Sequence, residues 1–297
     1  MKVLAALDFE DSSLEALRQA DALARGVGGT LAVCHVLPVA HDLSALLLER
    51  GLPASEKLAA EEASARDALR ERARSKLGIE LSEVFVERGT AYAEIVRRAE
   101  TWGADFIVVG SHGHSALTSA LIGSSAERVA RHAHASVLVA RPVAKGGVVL
   151  AATDLSELSL PALEAGAAAA KRSGAKLVVA SVLELPDPVA ISAASLIGAA
   201  PAVPSAEVLN ELRTVLRSTL QQTLTRLGVT AEIRVLEGSA APGIVDCADE
   251  LGAELIVVGT HGRTGLVRFA LGSVAERVIR NAKSSVLCVR GGQGAVA

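Results

Sequence analysis

Two stretches of the chain combine residue types that could grip an anion. One is Gly110-Ser-His-Gly113-His-Ser-Ala-Leu-Thr-Ser-Ala-Leu-Ile-Gly123-Ser124. The other is Gly259-Thr-His-Gly262-Arg-Thr-Gly-Leu-Val-Arg-Phe-Ala-Leu-Gly272-Ser273. In both, two residues separate the first pair of glycines, nine precede the third, and a serine follows. Glycine lets main chain approach a ligand without a Cβ in the way. Main-chain N–H groups converging at a helix start bind anions, with the positive end of the helix dipole behind them. Ser124 and Ser273 each add a hydroxyl, and Arg263 adds a cation suited to a phosphate.

Such a loop needs a strand behind it and a helix ahead. The apolar runs 105–110 and 254–259 read as buried parallel strands. Residues 124–134 and those after Ser273 read as helices. Each half also opens with an apolar strand ending on an acid: 2–7 before Asp8, and 148–153 before Asp154. A helix follows each. The first opens at Ser12-Ser13-Leu-Glu15, with a serine placed to cap it and an acid in its first turn; Gly28-Gly29 ends it. The second is expected over 157–173. Further strands are expected at 30–36, 81–87, 136–140, 176–183 and 230–237, with a last one closing at Arg290. Further helices are expected at 56–77, 91–101, 206–227 and 241–251. The 206–227 helix places Leu209, Leu212, Leu216, Leu220, Leu224 and Leu227 on one side. Strands alternating with helices predict an α/β fold, a parallel sheet with helices on both faces. A ligand then sits beyond the carboxyl ends of the strands, where strand order reverses.

A long glycine spacing kept twice, each time between strand and helix, marks an internal duplication. Leu4-Ala-Ala-Leu-Asp8 is echoed by Leu150-Ala-Ala-Thr-Asp154, and Ser136-Val-Leu-Val by Ser285-Val-Leu-Cys. On these residues the chain resembles the universal stress protein family, in the form with two fused domains. In that family the G-x2-G-x9-G-[ST] pattern is the ATP-binding signature. The resemblance implies two tandem open parallel five-stranded sheets, Rossmann-like and akin to the adenine nucleotide alpha hydrolases, in domains at 1–142 and 147–291.

It also implies one ATP per half, with Mg²⁺, between the fourth strand and the fourth helix. The residues concerned in the first half are Asp8, Val36, Gly110, Gly113, Gly123, Ser124 and Ser125. In the second they are Asp154, Val182, Gly259, Gly262, Arg263, Gly272 and Ser273. The aspartates would meet the ribose or a phosphate-held metal, and the main chain at Val36 and Val182 the adenine edge. The family's strand order brings Asp8 next to Gly110 and Asp154 next to Gly259. The halves would pair through their last strands into an internal pseudo-dimer, with homodimerisation as well. A role in surviving stress and a protein partner of unknown identity complete what the resemblance implies.

The halves differ. After its second glycine the first half has His114, Ser115 and Ala116, where the second has Arg263, Thr264 and Gly265. Ser125 adds a hydroxyl where the second half has Val274, while Leu7 stands in place of Thr153. The second site is therefore expected to be the stronger.

Composition narrows the class. Of 297 residues half are apolar and 2% aromatic, so the core is built from Ala, Val, Leu and Ile. A net charge of -3 favours neither nucleic acid nor an anionic membrane surface as partner. Cys34, Cys247 and Cys288 are an odd, scattered set, which reads as buried thiols in a reducing, cytoplasmic setting. Asp8, Glu10 and Asp11 cut short the opening apolar run, so no signal peptide is read there. Residues 188–206 carry no charge but hold three prolines among Ala, Ser and Gly; they read as a loop, too weakly apolar to span a bilayer.

The pairs His112/His114 and His132/His134 lack Cys or carboxylate partners at ligand spacing, so no metal centre is assigned to them. Enzymatic turnover is left open. The glycines are not followed by a Walker lysine, and Glu127 and Glu276 lie one turn into their helices, which leaves a slow ATPase as an alternative with no assigned catalytic residue. A nucleotide-free scaffold acting through protein contacts is the other alternative.

Overall fold

In the first half the apolar runs become β1 (Lys2–Ala6), β2 (Thr30–Leu37), β3 (Glu83–Arg88), β4 (Phe106–Gly110) and β5 (Ser136–Ala140). Between them lie α1 (Ser12–Gly26), α2 (Ala54–Leu77), α3 (Ala91–Trp102) and α4 (Ser124–His132). The second half repeats the order with β6 (Val148–Ala152), α5 (Leu160–Ser173), β7 (Lys176–Leu183), α6 (Ala206–Arg226), β8 (Glu232–Glu237), α7 (Ala240–Leu251), β9 (Leu255–Gly259), α8 (Ser273–Asn281) and β10 (Ser285–Val289). This computed structural model describes residues 1–38, 54–111, 122–142, 147–185, 204–260 and 271–291. The chain divides into two units, Met1–Arg141 and Pro142–Ala297.

Within the first unit the strands run in the order β3-β2-β1-β4-β5, all parallel. Within the second the order is β8-β7-β6-β9-β10, again all parallel. The chain steps outward from β1 to β2 and returns from β3 to β4. With the right hand common to such crossovers, α1 and α3 fall on opposite faces. Both faces of the central strands are thus covered, which is why β1, β4, β6 and β9 bury successive residues without alternation. Leu4, Leu17, Leu69 and Ile107 are among the largest side chains fully buried in the first unit, and Leu150, Leu163, Leu220, Leu224, Ile256 and Ile279 in the second.

Glycine ends the helices as the sequence suggests. α3 stops at Gly103, with φ 74°, and α7 at its counterpart Gly252, with φ 59°; both are left-handed positions that cost other residues strain.

Three expectations are corrected. The N-cap position of α1 is not a serine. Asp11 is the N-cap and makes no side-chain capping bond. The Ser13 hydroxyl instead shares its one proton between Asp8 O and Glu10 O, both at 2.9 Å, and fastens the turn before the helix. The second-half helix expected from 157 begins at Leu160, because 153–159 are held in a polar turn described below and Pro161 then sets the first helical turn. Of the leucines on α6, Leu220 and Leu224 are buried, but Leu212 is 40% exposed. A helix of 21 residues runs about 31 Å. That exceeds the six-residue β8 beside it, at about 20 Å. Its first turns outlast the sheet, leaving Val208 and Val215 exposed as well.

The stretch 188–206 lies outside the described residues except for its last three, of which Ser205 caps α6 through Val208 N.

Candidate functional site

The strand order reverses between β1 and β4 in the first unit and between β6 and β9 in the second. Register places Ala6 beside Val109 and Ala152 beside Val258. Asp8 therefore lies two residues past the paired end of β1, next to the last glycine of β4, Gly110. Asp154 stands likewise next to Gly259. Each aspartate begins a turn of the same make. Glu10 N donates to Asp8 Oδ1 at 3.1 Å, and Ser156 N to Asp154 Oδ1 at 3.0 Å. A serine five residues on locks each turn: Ser13 as above, and Ser159, whose hydroxyl donates to Ser156 O at 2.8 Å.

The main chain at Val36 and Val182 points at the same place. In a parallel strand the N–H and C=O of one residue face one neighbour, and those of the next face the other. Leu7 N donates to Cys34 O, so Cys34 faces β1. Gly89 N donates to Leu37 O, so Leu37 faces the β3 side. Val36 shares the parity of Cys34 and aims its polar groups past the end of β1. The second unit repeats the pattern: Thr153 N bonds Ala180 O, Gly238 N bonds Leu183 O, and Val182 faces past the end of β6.

The glycine loops close on themselves at a neck. Gly123 N donates to Ser111 O at 2.7 Å, and Gly272 N to Thr260 O at 2.8 Å. Ser111 and Thr260 are in turn tied to the last strands, by N–H bonds to Ala140 O and Val289 O. Gly123 and Gly272 are the N-caps of α4 and α8 and make no side-chain capping bond. Ser124, Ser125 and Ser273 are exposed in the first turns that follow. Gly272 has φ -63°, which any residue can adopt. Its constraint is space: a Cβ there would stand 3.1 Å from Thr260 O. Gly113, Gly262 and Arg263 lie outside the described residues.

Residues 1–141 and 147–290 each match the model of the universal stress protein family. The chain belongs to that family. A universal stress protein of Methanocaldococcus jannaschii is 37% identical over 145 residues, which is 46% of this chain and 78% of that protein. One from Bacillus subtilis is 34% identical over 149 residues, 48% of this chain and 97% of that one. The crystal structure of a universal stress protein from Archaeoglobus fulgidus superposes with a TM-score of 0.63 at 22% identity, covering 98% of this chain and 96% of that one, a likeness of fold. The Rossmann-like architecture expected from the sequence is the one this universal stress protein has.

Two features of the first site escape motif reasoning. His35 is buried, with Nδ1 2.8 Å from Leu7 O. A carbonyl only accepts, so Nδ1 carries the proton. Phe9, the residue after Asp8, stands edge-on to that imidazole with ring centroids 4.6 Å apart. In the second site their places are taken by Leu155 and Ser181. Leu155 has φ 62°, the one left-handed non-glycine residue among those described. The Thr153 hydroxyl accepts from Leu155 N at 2.9 Å and bonds Ser159 Oγ at 2.7 Å, so it holds the turn. The signal in the sequence was the scarcity of aromatics, which makes a phenylalanine beside Asp8 conspicuous.

Other candidates of the universal stress protein fall into structural roles. Glu127 pairs with Arg131 at 3.1 Å and Glu276 with Arg280 at 3.0 Å, one helical turn apart in each half. His134 pairs with Glu100 on α3, and His132 lies beside the Tyr92 ring. The three cysteines are free and buried. Burial pushes the thiols of Cys34 and Cys288 up to about 12. Among the described residues no group of three or more His, Cys, Asp or Glu could hold a metal, and no helix is long and apolar enough to cross a membrane. An open depression of about 670 Å³ is lined by Glu207, Asn210, Glu211, Thr214 and Val215 of α6, and none of the residues predicted for the site borders it.

Proposed function

We propose that this universal stress protein is an ATP-binding regulatory protein of the stress response, holding one ATP in each domain, 1–142 and 147–291. The observation that carries the reading is a constellation built twice. An aspartate turn, a strand end with outward-facing main chain and a glycine N-cap without a side-chain lid converge at the point where strand order reverses. Each component has a bland explanation by itself. Their joint recurrence at equivalent positions of the two halves is what a shared ligand accounts for.

In this reading the first turns of α4 and α8 receive the phosphates, with Ser124, Ser125 and Ser273, and with Arg263 in the second half. Asp8 and Asp154 meet the ribose or a Mg²⁺ held chiefly by the phosphates, since the protein offers no clustered ligand set of its own among the described residues. Val36 and Val182 meet the adenine edge through main chain. Free, buried thiols favour a cytoplasmic location. Self-association as a homodimer belongs to the same proposal, and sedimentation velocity tests it.

Regulatory binding is favoured over turnover by the ion pairs that occupy Glu127 and Glu276, the glutamates nearest in sequence to the glycine loops. Calorimetric titration with Mg²⁺ and ATP tests the reading. Two binding events, matched by a nonhydrolysable analogue and without phosphate release, are expected. Phosphate release at a steady rate would favour the slow ATPase. Absence of heat at millimolar ATP, with no nucleotide released on denaturing fresh protein, would favour the scaffold.

A further inference from the structure

We infer that Phe9 is a base-stacking residue of the first half, giving that half an aromatic wall for a purine at a position where the second half has Leu155. This rests on the nucleotide reading above and adds to it which half depends on the base. Phe9 is 39% exposed, and it is the one exposed aromatic side chain among the described residues. It stands next in the chain to Asp8, on the rim that the main chain of Val36 faces.

The ring is fixed from behind. Its neighbour His35 is buried and bonded through Nδ1 to Leu7 O at 2.8 Å, and the two rings meet at 63°. An edge-on partner holds an aromatic ring by its quadrupole and leaves the ring's other surface open. Purine recognition commonly combines these two components: main-chain donors and acceptors along the base edge, and an apolar plane on the base face. A wall already held in place loses little freedom when the base arrives.

The second half has neither ring. Leu155 replaces Phe9 and turns into a left-handed conformation, its N–H taken by the Thr153 hydroxyl. Ser181 replaces His35 and is buried. The first half therefore depends on the base, and the second depends on its phosphate loop, where it has Arg263.

Calorimetry with Mg·ATP on wild type, Phe9→Ala and Phe9→Trp tests this. One of the two sites should weaken by about tenfold in Phe9→Ala, and Phe9→Trp should restore it. The affinity of the other site should not move. Competition by inorganic tripolyphosphate, which has no base, should be the same in wild type and Phe9→Ala. Unchanged ATP affinity at both sites in Phe9→Ala overturns the inference and leaves the nucleotide reading intact. So does equal weakening of ATP and tripolyphosphate, or a Phe9→Trp variant as weak as Phe9→Ala. A wild-type protein that takes up no ATP overturns the nucleotide reading itself. The chain has a single tryptophan, Trp102, so a nucleotide-dependent change in the added indole's emission gives an independent readout.

Discussion

The N–H of Gly272 is 2.8 Å from the carbonyl oxygen of Thr260, and this bond draws together the two ends of the second glycine loop. The third glycine of the motif thus closes the loop and opens the helix. A methyl group at 272 would meet that same oxygen at 3.1 Å.

Gly272→Ala is expected to weaken ATP by ~2–3 kcal/mol, about two decades in affinity. It should weaken ATP more than Gly123→Ala does, because the second loop keeps Arg263 and Gly265 where the first has His114 and Ala116. Calorimetry on the two variants checks the order; equal losses would refute the ranking.

Gly166 sits within α5 against β6, and a Cβ there would stand 2.8 Å from Ala151 Cβ, which is fully buried. Helix propensity alone would make Gly166→Ala stabilising by ~1 kcal/mol. Overpacking a rigid strand should win and destabilise the protein by ~1–3 kcal/mol. Urea unfolding decides the sign.

Leu155 holds a φ of 62°, a region that costs a branched residue ~1–2 kcal/mol. Leu155→Asn should therefore raise stability, by ~0.5–1 kcal/mol, since asparagine tolerates that region. A fall in the melting temperature would mean that the leucine side chain contributes more than its backbone costs.

Cys34 and Cys288 have their thiols raised to about 12 from an ordinary 9.0, chiefly by burial. Thiolate is the reactive species, so both should resist a thiol reagent at pH 8 in the folded protein and react once it is unfolded. The sign for stability follows. Their contribution is fully present below pH 9 and is lost as pH rises from there toward 12. Chemical unfolding followed from pH 8 upward should show the decline.

Much of this universal stress protein was legible because buried parallel strands announce themselves. The runs before Asp8, Gly110, Asp154 and Gly259 are apolar on consecutive residues, and Gly103 and Gly252 punctuate the helices that precede two of them. The placement of Asp8 beside Gly110 followed from strand order, which residue patterns do not carry and the family resemblance supplied. What was misread lies where side chains choose among polar partners or where lengths are unequal. Ser13 had two carbonyls to donate to and no need to cap. The 153–159 turn consumed the expected first turn of α5. On α6 the leucine periodicity is real, but no pattern within a helix reports where the sheet beside it ends. The Phe9–His35 contact joins residues 26 apart, one in the turn after β1 and one on β2, and only the folded chain brings them together.

The strand β1 has five residues and its neighbour β2 eight, and β6 and β7 repeat the mismatch. The overhang is made of peptide groups, so under the proposed nucleotide reading the contact assigned to Val36 and Val182 would be insulated from ordinary mutation. Almost any side chain could replace either valine and leave the same donor and acceptor in position. Proline, which lacks the N–H, or an insertion that lengthened the shorter strand would not be forgiven. The two halves would thus be free to diverge in their walls and loops while the same main-chain donor and acceptor persist beneath.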